Sequence, residues 1–336
     1  MRISICIPTY NRADHLNNCL HSIISNKSRS AIDFEVCVSD NCSTDDTEKV
    51  VRRAQVNIGI KYQKNFKDFG APRNFLNVVA MAEGEFVWLL GDDDLLMPYA
   101  LECLNDLIDQ HPDADFFYVN SSFLGAEFVR SFPQPFNTSN LPENLKPFSS
   151  FSKSSEMKFM DLIDPKISFD FLGGMFLSVF RRENWNQNVN TLDESAIKDE
   201  RTFSHFDNTF PHLKIWAYAF SKSNAYFNAS PMSICITGYR EWAPLEPLVR
   251  NIRLVEALDI YKDNGMSYGR YFRCKNFALR NYFSGVIRMA IHRDVFSFNL
   301  GLFRHYLKCA LYPNVYLSAF YLLFRKLKVL KSKIFH

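Results

Sequence analysis

The chain has no CxxC pair and no dense cysteine framework, although eight cysteines are spread along it at positions 6, 19, 37, 42, 103, 235, 274 and 309. That spacing excludes a zinc ribbon and speaks against a disulfide scaffold, so the thiols are expected to be buried and reduced. No run approaches the roughly 20 apolar residues needed to span a bilayer. The longest, residues 315–324 (VYLSAFYLLF), is far too short. The opening MRISICIPTYNR passes from a short apolar run straight to Pro and polar residues, without the apolar core of a signal peptide. A cytoplasmic protein is expected. Internal repeats and low-complexity tracts are also missing, and with 47% hydrophobic residues the 336-residue chain can build a large core.

Acidic residues are almost absent from the last quarter. Residues 265–336 hold thirteen Lys and Arg against one acid, Asp294, whereas residues 1–264 hold 26 basic and 35 acidic residues. From Gly301 onward there are seven Lys and Arg and no acid, interleaved with aromatic and aliphatic side chains. That composition predicts a helix lying in an anionic membrane interface, where lipid contributes about 1 kcal/mol per basic residue. The alternative is a core-packing helix with a solvated basic end. Nucleic-acid binding is disfavoured, because the aromatic residues accompany long aliphatics instead of Gly or Asn loops.

What is present in the first 120 residues is alternation. Residues 3–7, 34–38 and 58–62 read as strands, and residues 86–90 (FVWLL) as a central parallel strand buried on both faces. Between them, Leu16, Cys19, Leu20, Ile23 and Ile24 recur at helical spacing. Ser43 or Thr44 is placed to cap a helix with Asp45, Asp46 and Glu48 in its first turn. Pro72 starts another helix, which Gly84 is placed to end in a left-handed conformation. The pattern predicts a Rossmann-like, mostly parallel doubly wound α/β sheet, with ligands beyond the carboxyl ends of its strands. Residues 125–200 read as long loops around a few strands, including an apolar element at 171–180 where Gly173 and Gly174 permit close backbone approach. Beyond about 250 the pattern is helical.

Three adjacent carboxylates, Asp92, Asp93 and Asp94, directly follow the buried run. Like charges with little solvation disfavour one another. A divalent cation removes that penalty: Mg²⁺ or Mn²⁺ takes carboxylate oxygens and leaves positions for a diphosphate. The bland reading, capping of a helix near Pro98, needs only one Asp. Two loops, Pro8-Thr9-Tyr10-Asn11-Arg12 after the first strand and Asp40-Asn41-Cys42-Ser43 after the second, would lie side by side above the sheet. Tyr10 can stack on a base and Asp40 can accept a hydrogen bond from one. Arg73, at a helix start, can meet phosphate. Turn formation or capping explains several of these singly.

Taken in order, IPTYNR, VSDNCSTDDT, APRNFLN and AEGEFVWLLGDDDLLMP resemble the inverting, GT-A-fold glycosyltransferases of family 2, over about residues 1–110. The resemblance implies a nucleotide-diphospho-sugar donor contacted by Pro8, Thr9, Tyr10, Arg12, Asp40, Asn41, Arg73 and Asp92. It also implies a Mg²⁺ or Mn²⁺ ion on Asp93, with Asp92 and Asp94. The family often has its first Asp seven residues before the Pro; here that position is Gly91, so the D-x-D pair is shifted to Asp92 and Asp94, or Asp93 works alone. The general base is expected about 90–110 residues beyond the metal motif, often in a Glu-Asp pair that this chain lacks. Asp207 is the choice, since it lies among Phe203, Phe206 and Phe210, with His205 or His212 available for the metal shell or phosphate. Length and motif form resemble the abequosyltransferase type of O-antigen enzyme. This implies a CDP-3,6-dideoxyhexose donor and a lipid-linked oligosaccharide acceptor at the inner face of the bacterial inner membrane.

The expected division is a GT-A domain over 1–245, its nucleotide-sugar half ending near 120, and a basic helical, membrane-associating extension over 246–336. A sugar nucleotidyltransferase would want a Gly-rich basic loop after the first strand, and IPTYNRADH has no Gly. A catalytically dead membrane-docking protein would be expected to lose the carboxylates.

Overall fold

The computed structural model describes residues 1–27, 32–238 and 242–334, with side chains as far as 324. The predicted parallel strands form: β1 (Ile3–Thr9), β2 (Phe34–Asp40), β3 (Ile60–Lys64) and β4 (Phe86–Leu89). β1 pairs in parallel with both β2 and β4, and β2 pairs in parallel with β3. Every residue of β1 and β4 is buried, as expected for strands covered on both faces. Short β5 (Asp94–Leu96) is followed by β6 (Ala114–Gly125), β7 (Lys146–Pro147), β8 (Ser155–Lys158), β9 (Ser178–Arg181) and β10 (Asn224–Thr237). The sheet runs β3-β2-β1-β4-β9-β6-β10-β5, with β7 on β6 and β8 on β10. Antiparallel β9 thus joins a parallel half to a mixed half.

Helices α1 (Ala13–Lys27), α2 (Thr47–Ala54), α3 (Ala71–Ala80) and α4 (Ala100–Gln110) follow the predicted order, but two expectations about their ends are corrected, and the bland reading of the Asp triplet falls as well. Ser43 and Thr44 do not cap α2. Its N-cap position is Asp46, and Asp45 accepts from the backbone N–H groups of Ala13 (2.9 Å) and Thr47 (3.1 Å). α3 ends at Ala80 with Met81 in right-handed conformation, and Gly84 is not left-handed. Gly84 serves close approach instead: a Cβ there would lie 2.6 Å from Ser4 Oγ and 2.7 Å from Ser4 N. The Asp triplet does not cap α4, whose N-cap position is Tyr99.

The expected boundary at 245 does not separate two cores. Leu254, Leu258, Tyr261 and Cys274 belong to the same apolar cluster as Phe116, Trp216 and Phe220. The carboxyl-terminal helices therefore share a core with the sheet, and the last two, Leu302–Cys309 and Pro313–Ile334, add Cys309 and Val315 to it. Among the described residues no helix is long and apolar enough to cross a membrane.

Candidate active site

The carboxyl ends of β1 and β4 adjoin, and this brings Thr9 and Arg12 onto the Asp triplet. Thr9 Oγ1 donates to Asp92 Oδ2 at 2.8 Å. Arg12 Nη1 lies 3.2 Å from Asp92 Oδ1 and 3.3 Å from Asp93 Oδ2, bridging two neighbouring carboxylates. Asp94 faces inward: its Oδ2 accepts the N–H of Gly91 at 3.2 Å, and the Cys235 thiol also bonds to it. Burial, reinforced by Asp93, pushes the Asp92 carboxyl up to about 7. Burial and Asp93 also raise Asp94 well above the usual carboxylate range. Asp93 is the open member, its side chain 26% exposed against 7% for Asp92.

Gly91 now has a reason. A Cβ there would lie 2.7 Å from Asp94 Oδ2 and 2.9 Å from Asp93 Oδ1. The missing side chain is what lets both carboxylates fold back over the end of β4. Where the family pattern has an Asp, this chain has used the space differently.

The expectation that three carboxylates share one cation is not met, because Asp94 is committed to the turn. Among the described residues no three His, Cys, Asp or Glu side chains converge on a point fit for a metal. Asp93 and Asp92 still fit Mg²⁺ or Mn²⁺. Such ions commonly bind one or two carboxylates plus phosphates and water, and the raised Asp92 and Asp94 carboxyls mark negative charge that burial disfavours.

The second loop is built differently from expectation. Asp40 has no exposed surface: Oδ1 accepts from Ser43 N (2.7 Å) and Oδ2 from Tyr62 Oη (2.6 Å). It closes the β2–α2 turn and, in this conformation, offers nothing to a base. Asn41 is likewise spent, donating to Asp68 and accepting from Asn65 Nδ2 (3.2 Å) and Phe69 N (3.0 Å). Pro8 and Thr9 are buried within β1. Of the donor positions, Tyr10 (45% exposed), Arg12 and Arg73 carry accessible side chains. Arg73 stacks on the Phe69 ring at 4.2 Å, with no carboxylate partner among the described residues.

One organising residue escapes the sequence reading. Buried Asn74 donates to the carbonyls of Ser39 (2.9 Å) and Thr9 (3.3 Å) and accepts from Ser39 Oγ (2.6 Å). It ties α3 to the ends of β1 and β2. The signal was available: Asn74 precedes Val78 by one helical turn, and a polar residue on an apolar stripe must find partners.

On the acceptor side, Asp207 is buried, and its Oδ2 accepts from Lys214 Nζ (2.7 Å) and Asp193 N (2.6 Å). The helix Pro211–Phe220 starts just beyond it. There His212 Nε2 meets the Gly173 carbonyl at 3.2 Å. The turn Met175–Leu177 leads into β9, and there the Phe176 carbonyl accepts Trp88 Nε1–H at 2.9 Å. The segment from Gly173 into β9 thus links the start of this helix to the end of the sheet that holds the triplet. Neither histidine is placed for a metal shell. Burial drives His212 down to about 4, leaving it neutral, and His205 Nε2 lies 3.1 Å from Asp199, which Arg201 holds far below the usual range.

A mixed sheet with a parallel nucleotide-type half and a helical cover has the GT-A fold. The chain belongs to glycosyl transferase family 2, whose profile matches residues 4–180. It is 30% identical over 248 residues to the abequosyltransferase RfbV of Salmonella typhimurium, covering 70% of this chain and 66% of that protein. It is 29% identical over 211 residues to the GalNAc(5)-diNAcBac-PP-undecaprenol beta-1,3-glucosyltransferase of Campylobacter jejuni, covering 61% of this chain and 62% of that one. The chain thus spans just under two thirds of the length of these relatives. By fold it resembles S. aureus TarS 1–349 in complex with UDP, with a TM-score of 0.56 at 17% identity over 84% of this chain and 72% of that one. It also resembles the Pyrobaculum calidifontis mannosyltransferase PcManGT in complex with GDP-Man and Mn²⁺, with a TM-score of 0.51 at 14% identity over 97% and 88%.

Proposed function

We propose that the chain transfers a sugar from a nucleotide-diphospho-sugar, CDP-abequose or another CDP-3,6-dideoxyhexose, to a mannose of an undecaprenyl-diphosphate-linked O-antigen repeat unit. The observation that carries this is the Arg12–Asp92–Asp93 cluster at the crevice beside β1 and β4, with Tyr10 and Arg73 accessible around it. Likeness over 70% of the chain to an abequosyltransferase supports the choice of sugar.

Asp93 and Asp92 would hold a divalent ion, which would supply electrostatic stabilisation to a leaving diphosphate. The chain's own residues do the rest. Tyr10 stacks on the base, and Arg12 and Arg73 orient the diphosphate. The acceptor hydroxyl oxygen bonds to the anomeric carbon as the bond to the diphosphate breaks, and its proton passes to Asp207. The test is a thermal-unfolding series with CDP- and UDP-sugars, with and without Mn²⁺. Metal-dependent protection is expected, greatest with CDP-dideoxyhexoses. A flat response to every donor counts against transfer, and preference for UDP-sugars against the assigned donor.

A lipid-linked acceptor requires the enzyme at a bilayer, and the distribution of exposed apolar side chains supports that. Of 21 exposed large hydrophobics among the described residues, 14 lie at residue 268 or beyond, among them Phe303, Leu307, Leu311, Phe320, Tyr321 and Phe324. An apolar surface of this extent marks a membrane or protein partner, and the accompanying Arg304 and Lys308 favour anionic lipid. The basic residues from Arg325 lie outside the described side chains. Removing residues 315–336 would also remove buried Val315 and Ser318, so substitution is the cleaner test. The double variant Phe320→Glu, Phe324→Glu should lose co-flotation with phosphatidylcholine/phosphatidylglycerol vesicles while keeping nucleotide binding. Undiminished flotation removes this surface from the account.

A further inference from the structure

Four phenylalanines outside the reaction scheme form one continuous wall that runs towards the Asp triplet. The Phe123 and Phe148 rings lie 5.1 Å apart, and Phe148 stacks on Phe169 at 4.7 Å with planes 18° apart. Phe148 also meets Phe176 edge-on at 5.8 Å. All four are only partly buried. Phe148 and Phe176 also pack against the core, and each of the four rings keeps part of its surface uncovered.

The sheet register fixes where the wall stands. Asp94 lies opposite Cys235, and Cys235 lies beside Phe123, so the three share one row. Paired residues on neighbouring strands project to one face, and two strand spacings put Phe123 about 10 Å from Asp94 along the sheet. At its other end, Phe176 lies in the turn Met175–Leu177 just before β9, and its carbonyl accepts Trp88 Nε1–H at 2.9 Å at the end of β4.

A carboxylate borders the rings. Asp170 Oδ2 accepts from Gly174 N at 2.9 Å, and Ser168 donates to Oδ1. A Cβ on Gly174 would lie 3.0 Å from the Phe176 ring and 3.4 Å from Asp170 Oδ2, so the glycine lets ring and carboxylate pack closely. Aromatic faces beside a hydrogen-bond acceptor suit a pyranose, whose C–H face packs on a ring while its hydroxyls donate.

We infer that this wall, with Asp170, is a saccharide subsite that packs against the acceptor's terminal sugar; the inference rests on the transferase reading. Saturation-transfer NMR on the full chain tests it. The probes are the methyl glycosides of mannose, rhamnose, galactose and N-acetylglucosamine for the acceptor side, and CDP-glucose and UDP-glucose for the donor side. At least one methyl glycoside should receive saturation from the wild type. Its binding should weaken about tenfold in Phe169→Ala and persist in Phe169→Tyr, with CDP and UDP signals unchanged. Phe169→Leu serves if the alanine variant melts early. Saturation of no methyl glycoside, or equal binding by the alanine or leucine variant, overturns the inference. Loss confined to the glucosyl protons of the donors assigns the wall to the donor sugar and overturns it equally. Failure of the wild type to bind any nucleotide defeats the transferase reading instead.

Discussion

Asp93→Asn is expected to lower kcat/KM for sugar transfer by about 10²–10³-fold, the range seen when one preorganised electrostatic contact to developing charge is removed. The argument is about direction. Of three adjacent carboxylates, Asp94 is tied to Gly91 N and the Cys235 thiol, and Asp92 to Thr9 and Arg12. Asp93 keeps the most exposed side chain of the three, with Arg12 against it at 3.3 Å. Losing its charge should cost little stability, because an exposed position carries little of the fold. Asp94→Asn should keep most activity per folded molecule and hold or raise the melting temperature. The amide oxygen can still accept from Gly91 N, while a charge that burial and Asp93 disfavour is removed. Initial rates over a Mn²⁺ titration, together with melting curves for both variants, decide the matter. An active Asp93→Asn beside a dead but stable Asp94→Asn would invert the assignment.

That division of labour was hidden in the sequence for an identifiable reason. DDDLLMP reads as a turn into a helix, and a strand of three residues leaves too little alternation to recognise. β5 nevertheless begins at Asp94 and pairs with β10, some 140 residues later, which turns this one carboxylate inward. Asp40 tells the same story. Its acceptor chemistry was legible, but its partner Tyr62 stands on the next strand of the sheet, and pairing across strands does not show in a local pattern. The parallel half was readable because buried strands are continuous apolar runs punctuated by Gly and Pro. The mixed half was not, because it is stitched by distant pairs such as Arg181 with Asp115 and β6 with β10. Asn74 sits between these cases, visible as a polar residue on an apolar stripe, with partners only the fold supplies.

Asp207→Asn is expected to reduce kcat by about 10²–10⁴, the usual contribution of a positioned general base, while donor binding persists. The geometry sets a strict rival, because Asp207 already holds Lys214 and the backbone of Asp193. On a purely structural view that ion pair anchors the segment ahead of the helix Pro211–Phe220, and the carboxylate has no chemistry to do. The two views part over Lys214. A buried carboxylate needs a countercharge, and stripping it away costs about 3–5 kcal/mol of stability, so Lys214→Met should lower the melting temperature on either account. Asp207→Asn leaves an ammonium facing a neutral amide and should also destabilise, by less. Only as the base does Asp207 govern turnover in molecules that remain folded. Rates are therefore compared per folded molecule at a temperature well below both transitions, with nucleotide binding measured alongside. Turnover near wild type in folded Asp207→Asn would reduce the pair to an anchor. Lost turnover with intact donor binding, while Lys214→Met retains measurable activity over the same pH range, would place proton removal on Asp207.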